Sequence, residues 1–255
     1  MVNEQIFAAA KSCLKGKTVT DLVVGISLIA VELDHKYVGV AYTLRETLGG
    51  GCSIFPYASE AIGKSAEEVG SWFVNGSDDV QRGIGNAVLN AASQDLSLED
   101  CGDKAHPFGI EVSRGDTVGM IGMIKPVVKM LEPTGCKFII FDKGKSCGGN
   151  SGENIYPMSK QETLLPLCSV VFLSGTTTIN NSIDGLLSMC KYARDIVMVG
   201  ASTPMYPEGF KNTNVSILAG SWWQEKDKDD IFKAISLASG MQTLSKYMVK
   251  KNVRV

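Results

Sequence analysis

The sequence predicts an α/β protein in which a Rossmann-like, mostly parallel, doubly wound sheet follows a small α+β domain. From residue 114 onward, short apolar runs alternate with segments of helical periodicity. This alternation is typical of parallel strands that helices cover on both faces. The first run, Val118–Ile121, is followed by Gly122 and by a helical stripe that includes Val127 and Leu131. A strand, a glycine turn and a helix in that order form the opening unit of a doubly wound sheet.

The same patterns divide the chain into two domains. Residues 1–93 are predicted to form the small α+β domain, and residues 114–255 the Rossmann-like domain. Residues 94–113 lose periodicity and carry Ser, Asp, Gly and Pro, so we interpret them as a linker. His106 lies in this linker before Pro107, where the backbone is expected to be extended, and the sequence gives it no defined role.

The small domain begins with a helix over residues 2–15, where apolar residues recur with helical spacing. A long β-rich run over Thr18–Leu33, a turn at Asp34–Lys36 and an alternating run over Tyr37–Leu44 then predict a β-hairpin. His35 falls at the tip of this hairpin, where a solvent-exposed turn residue is expected.

A glycine-rich loop and two helices complete the small domain. The loop over Arg45–Ser59 either lines a site or only connects elements, and it contains Cys52, a thiol whose role stays open. The capping box Ser65–Glu68 begins the next helix. Asp78 and Asp79 begin the last one, where carboxylates suit the positive end of the helix dipole.

In the Rossmann-like domain, four further strands follow the first. They are predicted over Lys137–Asp142, Ser169–Ser174, Asp195–Gly200 and Val215–Ala219. Helical patterns over residues 180–190 and 227–239 follow the third and the fifth strand.

In an open parallel sheet, a ligand binds beyond the carboxyl ends of the strands, where the strand order reverses. Residues that follow the predicted strands are therefore the candidate ligand-binding residues. They are Gly119, Gly122, Asp142, Gly175, Thr176, Thr177, Asn180, Ser202, Thr203 and Pro204.

The first glycine turn gives a weak nucleotide signal. Gly119 and Gly122 form G-x-x-G, not the full G-x-G-x-x-G fingerprint, and such a pair more often reflects close packing of strand and helix. Asp142 lies 142 − 122 = 20 residues beyond Gly122, which is the spacing of a ribose-binding acid. Its alternative partner is a neighbouring lysine, Lys143 or Lys145.

The third strand is followed by the more informative loop. Ser174–Asn181 places hydroxyls and amides at a helix start, where they either help to bind an anion or cap the helix. Ser202 and Thr203 on the next loop favour a polar ligand. The polar segment Lys143–Met158 is predicted to be a mobile flap beside the site, with Cys147 and Glu153 as its reactive members of undefined role.

Composition excludes several other classes. A net charge of −2 gives no electrostatic footprint for nucleic acid, and no apolar run approaches the about 18 residues of a membrane span. The first residues lack a signal-peptide pattern, so we expect a cytoplasmic protein. Seven scattered cysteines predict reduced thiols, and their spacing indicates no metal site. The cofactor, if any, stays unknown.

Three segments resemble one known family. They read V-G-M-I-G at 118–122, L-L-P-L-C-S-V-V-F-L-S-G-T-T-T-I-N-N-S-I-D-G-L-L at 164–187, and I-V-M-V-G-A-S-T-P-M-Y-P at 196–207. The chain resembles the putative heavy-metal chelation family, formerly a domain of unknown function. In that family a domain similar to the enolase N-terminal fold precedes a methyltransferase-like Rossmann domain, and V-G-V-A-Y-T-L at 38–44 is similar to part of the smaller domain.

The resemblance implies a ligand site in a cleft between the two domains, for metal-chelating small molecules such as siderophores or pterin-like compounds. The residues that match the motif positions are Thr176, Asn180, Asp184, Ser202 and Pro204. The chain departs from the pattern at Ser182, where threonine is common, and in residues 143–154, an insert longer than usual.

These observations leave three hypotheses open. The first is a protein that binds a polar or anionic small molecule between its domains, either as an enzyme of unassigned catalytic residues or as a binding protein. The second is an enzyme that binds S-adenosylmethionine or a nucleotide, with Asp142 on the ribose. The third is a non-catalytic carrier of a metal or metallophore. The expected partner is a small molecule, without nucleic acid or membrane, and a homodimer stays open.

Overall fold

A computed structural model describes residues 1–45, 55, 57–103, 106, 108–143 and 154–255. Cys52, Cys147 and Glu153, together with most of the glycine-rich loop and of the predicted flap, lie outside these residues.

The predicted hairpin of the small domain is a three-stranded antiparallel meander. Helix α1 (Val2–Leu14) precedes strands β1 (Val19–Val24), β2 (Leu28–Leu33) and β3 (Tyr37–Tyr42). The apolar run concealed a turn, in which the N–H of Gly25 donates to the carbonyl of Leu28 at 2.8 Å. The prediction of two strands was therefore wrong. The apolar run continues through this turn, so the sequence pattern was interpreted as one strand.

The helix starts of this first unit are confirmed. In α2 (Ala66–Gly70), the Ser65 hydroxyl accepts from the N–H of Glu68 at 3.1 Å. A short α3 (Trp72–Asn75) follows. In α4 (Asp79–Ala92), the Asp78 carboxylate accepts from the N–H groups of Val80 and Gln81, as expected of an N-cap.

The second unit is a parallel sheet with the strand order typical of a Rossmann-like fold. Its strands are β4 (Thr117–Ile121), β5 (Lys137–Phe141), β6 (Ile155–Tyr156), β7 (Val170–Ser174), β8 (Asp195–Val199) and β9 (Ile217–Trp223). Their spatial order is β6-β5-β4-β7-β8-β9, which is the 3-2-1-4-5-6 arrangement of dinucleotide-binding folds. The predicted α/β fold class is confirmed.

Helices lie between these strands along the chain and after the last of them, β9. They are α5 (Lys125–Leu131), α6 (Gln161–Leu164), α7 (Thr176–Ile179), α8 (Ile183–Met189), α9 (Lys228–Ser236) and α10 (Met241–Leu244). Along β7, Val170 and Phe172 join the core on one face, whereas Val171 and Leu173 join the core on the other. Because both faces are buried, the strand is apolar at every one of these positions.

The sequence did not predict two of the strands. β6 is only two residues long, too short for a periodic signal. β10 (Met248–Arg254) pairs antiparallel with the whole of β9, and its half-buried pattern is interrupted by Lys250 and Lys251. The charged residues concealed this strand because one of its faces is open to solvent.

The two units share one ten-stranded sheet. β3 joins β9 where Val38 pairs with Trp223, beyond Ala219, the last residue of β9 that pairs with β8. β10 pairs with the opposite edge of β9. β8 and β3 therefore pair with the same edge of β9, one after the other. We call this junction the seam. The domain bounds at residues 93 and 114 stay a prediction.

Among the described residues, none of the helices has the length and apolar character required to cross a membrane.

Candidate functional site

The strand order of the parallel sheet reverses between β4 and β7, and their carboxyl ends meet there. Gly122 follows β4 with a positive φ of 85°, and its N–H donates to the carbonyl of Phe141 at 2.8 Å. A Cβ placed on Gly122 would lie 3.6 Å from the Cβ of Ser174, the last residue of β7. We call this place, formed by Gly122, Asp142, Ser174 and Thr176, the switch crevice.

Asp142 lies at the carboxyl end of β5, the strand next to β4. Its Oδ2 accepts from the N–H of Met123 at 2.7 Å, so the carboxylate holds the turn that follows β4. The side chain is half-buried. The acid predicted from a 20-residue spacing therefore lies beside the glycine turn, and the structure shows it bonded to that turn.

Two hydroxyls of the third loop lie at the crevice. The Oγ of Ser174 and the Oγ1 of Thr176 are 2.8 Å apart, and both side chains are half-buried. The hydroxyls of Thr177 and Thr178 instead donate to the carbonyls of Ser174 and Gly175, each at 2.8 Å, and are buried. Half of the hydroxyls that suggested an anion site thus serve the loop itself.

The two polar loops approach each other closely at Gly175. A Cβ on this residue would lie 2.4 Å from the N atom of Thr203, so only glycine fits. The structure therefore brings together the loops that the sequence singled out.

Ser202, Thr203 and Pro204 lie behind the crevice, at the seam, and all three are buried. The Oγ of Ser202 accepts from the N–H of Tyr42 at 2.8 Å, which satisfies an edge group of β3. Ser202 therefore has a structural role here, and a role of the three residues in ligand binding stays a prediction.

Asn180 and Asp184 are exposed, at the far end of the third loop. The Oδ1 of Asn180 accepts from the hydroxyl and the N–H of Ser182, at 2.7 and 3.2 Å. Ser182 is the position where the chain departs from the family pattern, and its side chain contacts Asn180 and makes no capping hydrogen bond to α8. Asp184 accepts from the N–H of Val2 and so ties α8 to α1.

Gly119 requires a correction. The sequence placed it after the strand, but it is the central residue of β4. A Cβ there would lie 2.9 Å from the Sγ of Cys168. Close packing, the alternative that the sequence left open, explains this glycine.

Sequence reasoning missed the buried asparagines of α4. The Nδ2 of Asn90 donates to the carbonyls of Ala201 and Val40, at 2.9 and 3.3 Å. The Nδ2 of Asn86 donates to the carbonyl of Ser202 at 3.1 Å. Two amides one turn apart on an otherwise apolar helix face were the available signal, because a buried amide requires partners from another element.

Two buried thiols of the described residues, Cys168 and Cys190, are not available as nucleophiles. Burial raises the pKa of Cys168 to about 11 and that of Cys190 to about 12, so both thiols stay protonated near neutral pH. Groups of three or more His, Cys, Asp or Glu residues arranged to hold a metal ion are absent among the residues that the structure describes.

Comparisons with known proteins agree with this architecture. A family model described as "Putative heavy-metal chelation" matches residues 106–254, and a second model of the same description matches residues 7–93. An uncharacterized protein of Methanocaldococcus jannaschii is 30% identical over 209 residues, which cover 79% of this chain and 76% of that protein.

Two crystal structures share the fold across the chain. A protein of unknown function from Pyrococcus horikoshii has a TM-score of 0.78 at 21% identity, with 100% of both chains covered. Another, from Desulfitobacterium hafniense, has a TM-score of 0.77 at 20% identity, with 99% of both chains covered. On the strength of both family models, the chain belongs to the putative heavy-metal chelation family.

Proposed function

We propose that this protein binds a small molecule that carries hydroxyl groups, in the switch crevice between the ends of β4 and β7. The observation that carries this proposal is the meeting of Gly122, Ser174 and Asp142 where the strand order reverses. Open α/β sheets bind their ligands at such a point.

The side chains of the crevice favour hydroxyl groups over a strongly anionic group. The carboxylate of Asp142 accepts hydrogen bonds, and the hydroxyls of Ser174 and Thr176 both donate and accept. A ribose, a polyol or a catechol offers complementary donors and acceptors. A chelator of this kind would also accord with the description of the family.

The test is isothermal titration of the protein with ribosides, polyols and catechols, after a thermal-shift screen of the same compounds. We expect Thr176→Val and Asp142→Asn each to weaken binding about tenfold, because each removes a polar group at the crevice. Thr243→Val, at an exposed threonine of α10, is the matched control. Equal affinity of all three variants for every ligand found would refute the site.

The second candidate is a binding site for S-adenosylmethionine or a nucleotide, with Asp142 on the ribose. The position of Asp142 at the end of the strand next to β4 specifically favours it, since dinucleotide folds place their ribose-binding acid there. Binding would require the carboxylate to exchange its bond with Met123 for bonds with the two ribose hydroxyls.

Two measurements separate the candidates. S-adenosylhomocysteine and adenosine should both raise the melting temperature of the wild-type protein under the second candidate, and Asp142→Asn should abolish the shift. If ribosides without an adenine bind equally well, the hydroxyl-recognition proposal stands and the nucleotide proposal fails.

A further inference from the structure

Four residues at the ends of neighbouring strands form one row across the sheet. From β5 through β4 and β7 to β8, the row consists of Asp142, Gly122, Ser174 and Val199. The first three directly follow residues that are paired with one another, which are Phe141, Ile121 and Leu173. Ser174 itself pairs with Val199, the last residue of β8. The row therefore extends the switch crevice by one strand.

All four positions of the row belong to the same face of the sheet. Side chains alternate along a strand, so a residue shares its face with the residue two positions earlier. Those earlier residues all lie in one buried cluster, and they are Ile140, Met120, Phe172 and Val197. Val199 itself packs against this cluster. A ligand that lies on Asp142 and Ser174 can therefore contact Val199 without crossing the sheet.

The length of the row exceeds that of a single hydroxyl-bearing ring. Neighbouring strands lie about 4.8 Å apart, so the three spacings from Asp142 to Val199 amount to about 14 Å. A ribose or a catechol bound at Asp142 and Ser174 is shorter than this. It would leave the end of the row at Val199 uncovered.

The end of the row at Val199 is apolar. The carbonyl of Val199 accepts from the N–H of Gly175 at 2.9 Å. At the next residue, Gly200, the N–H donates to the carbonyl of Ala219 at 3.0 Å, and the carbonyl accepts from the N–H of Thr203 at 3.0 Å. These backbone groups already have partners, and Val199 is only half-buried. A group that lies here therefore needs no hydrogen-bonding atoms.

Gly200 leaves room beside this apolar end. Its φ of 112° by itself requires glycine. As a separate observation, a Cβ on Gly200 would meet no atom of the described residues within 4 Å. A glycine backbone beside open space allows a flat group to approach closely.

We propose that the ligand of the switch crevice carries a flat apolar group, which lies on Val199 and Gly200 while the hydroxyl groups bind at Asp142 and Ser174. This inference rests on the function proposed for the crevice and adds the class of ligand. The ligand is a hydroxyl-bearing head joined to an aromatic ring, as in an aryl riboside or an aryl catechol.

Isothermal titration of the full chain with two pairs of probes tests the proposal. The pairs are methyl and phenyl β-riboside, and catechol and 4-phenylcatechol. For each head group that binds, we expect the phenyl compound to bind about tenfold more tightly, since burial of its ring against the apolar end of the row favours binding. In the wild-type protein with labelled valine methyl groups, nuclear Overhauser contacts should join the phenyl protons to Val199.

Val199→Thr keeps the branched shape of the side chain but places a hydroxyl at the apolar end. We expect it to reduce the ratio of phenyl to parent affinity to about threefold, because the ring would then cover a polar group. Val24→Thr, the same change at the half-buried last residue of β1, is the matched control and should keep the full ratio.

Equal affinity of the two members of each pair, or an unchanged ratio in Val199→Thr, would overturn this inference and leave the crevice itself in place. Binding of none of the four probes would overturn the inference, and, if the polyols of the screen also failed to bind, the function proposed for the crevice as well.

Discussion

At the scale of single residues, Asp116 shows how one buried carboxylate is stabilised. Its Oδ1 accepts from Arg194 and from the hydroxyl of Ser169, and its Oδ2 accepts from Arg194 and from the N–H of Ser113. The Arg194 guanidinium, followed by the hydrogen bonds of the serines, holds the pKa of Asp116 well below its ordinary value. These groups join the start of β4 to the starts of β7 and β8.

We predict that Asp116→Asn lowers the free energy of unfolding by about 2 kcal/mol at pH 7. This value is smaller than a fully buried ion pair would give, because solvent screens the half-exposed Arg194. As the pH falls, this carboxylate is protonated in the unfolded chain before it is protonated in the folded protein. Its contribution to the free energy of unfolding is therefore complete above about pH 5 and decreases as the pH falls toward 2. Urea unfolding across this range should give a flatter pH dependence for the variant than for the wild type. Asp229→Asn is the exposed control, and an equal slope in both variants would contradict the prediction.

Ser202 is a second residue whose role the structure defines. Ser202→Ala removes the acceptor of the Tyr42 N–H in a buried position, so we expect a loss of about 1 to 3 kcal/mol. Chemical denaturation measures this loss, with Ser236→Ala in α9 as the exposed control. A loss below that of the control would show that water replaces the hydroxyl at the seam.

At the scale of elements, β3 and α4 are packed so closely that a side chain does not fit between them. A Cβ on Gly39 would lie 2.0 Å from the carbonyl oxygen of Ala87. Gly185 in α8 is the opposite case, because a Cβ there meets no atom within 4 Å.

We therefore predict opposite effects of the same substitution. Gly39→Ala should lower the free energy of unfolding by about 3 kcal/mol or more, since it forces strand and helix apart. Gly185→Ala should raise it by up to about 1 kcal/mol, through helix propensity alone. Thermal unfolding of the two variants decides the question, and a stable Gly39→Ala protein would show that α4 shifts easily.

The elements also show what the sequence made predictable. Apart from the two-residue β6, the strands of the parallel sheet were found because burial on both faces leaves continuous apolar runs, as in Val170–Ser174. The turn at Gly25 and the strand β10 were missed for the opposite reasons. The first lies inside an apolar run, and the second carries Lys250 and Lys251 on a strand with one open face.

At the scale of the whole molecule, the two units share a core. One buried cluster includes Ile6, Phe73 and Val88 of the first unit together with Leu173 and Phe210 of the second. The Tyr206 hydroxyl also donates to the carbonyl of Leu89 at 2.7 Å, in a buried position.

From this shared core we predict a single unfolding transition. Heating should give one calorimetric peak, and far-ultraviolet circular dichroism should change together with the fluorescence of Trp72, Trp222 and Trp223. Asn90→Ala should lower the midpoint of this transition without splitting it. Two separate peaks in the wild type would instead show that the units unfold independently.

The location of the site was predictable from the sequence, but its contacts were not. The alternation of strands and helices placed the candidates at the carboxyl edge of the sheet, and Gly122, Asp142 and Thr176 do lie there. The sequence did not indicate that the carbonyls of Ala201 and Ser202 contact α4, because that packing is set by contacts between residues more than one hundred positions apart.

The pairing of β10 with β9 has a consequence for misassembly. The segment Ile217–Trp223 carries no charge and includes the β-forming residues Ile217, Trp222 and Trp223, which are features of segments that add to one another between copies of a chain. In the native sheet β10 covers its edge with Lys250, Lys251 and Arg254. A refolding intermediate in which β10 has not yet docked would expose that edge. Aggregation of this protein is therefore expected to begin at β9, and the basic residues of β10 protect the native molecule against it.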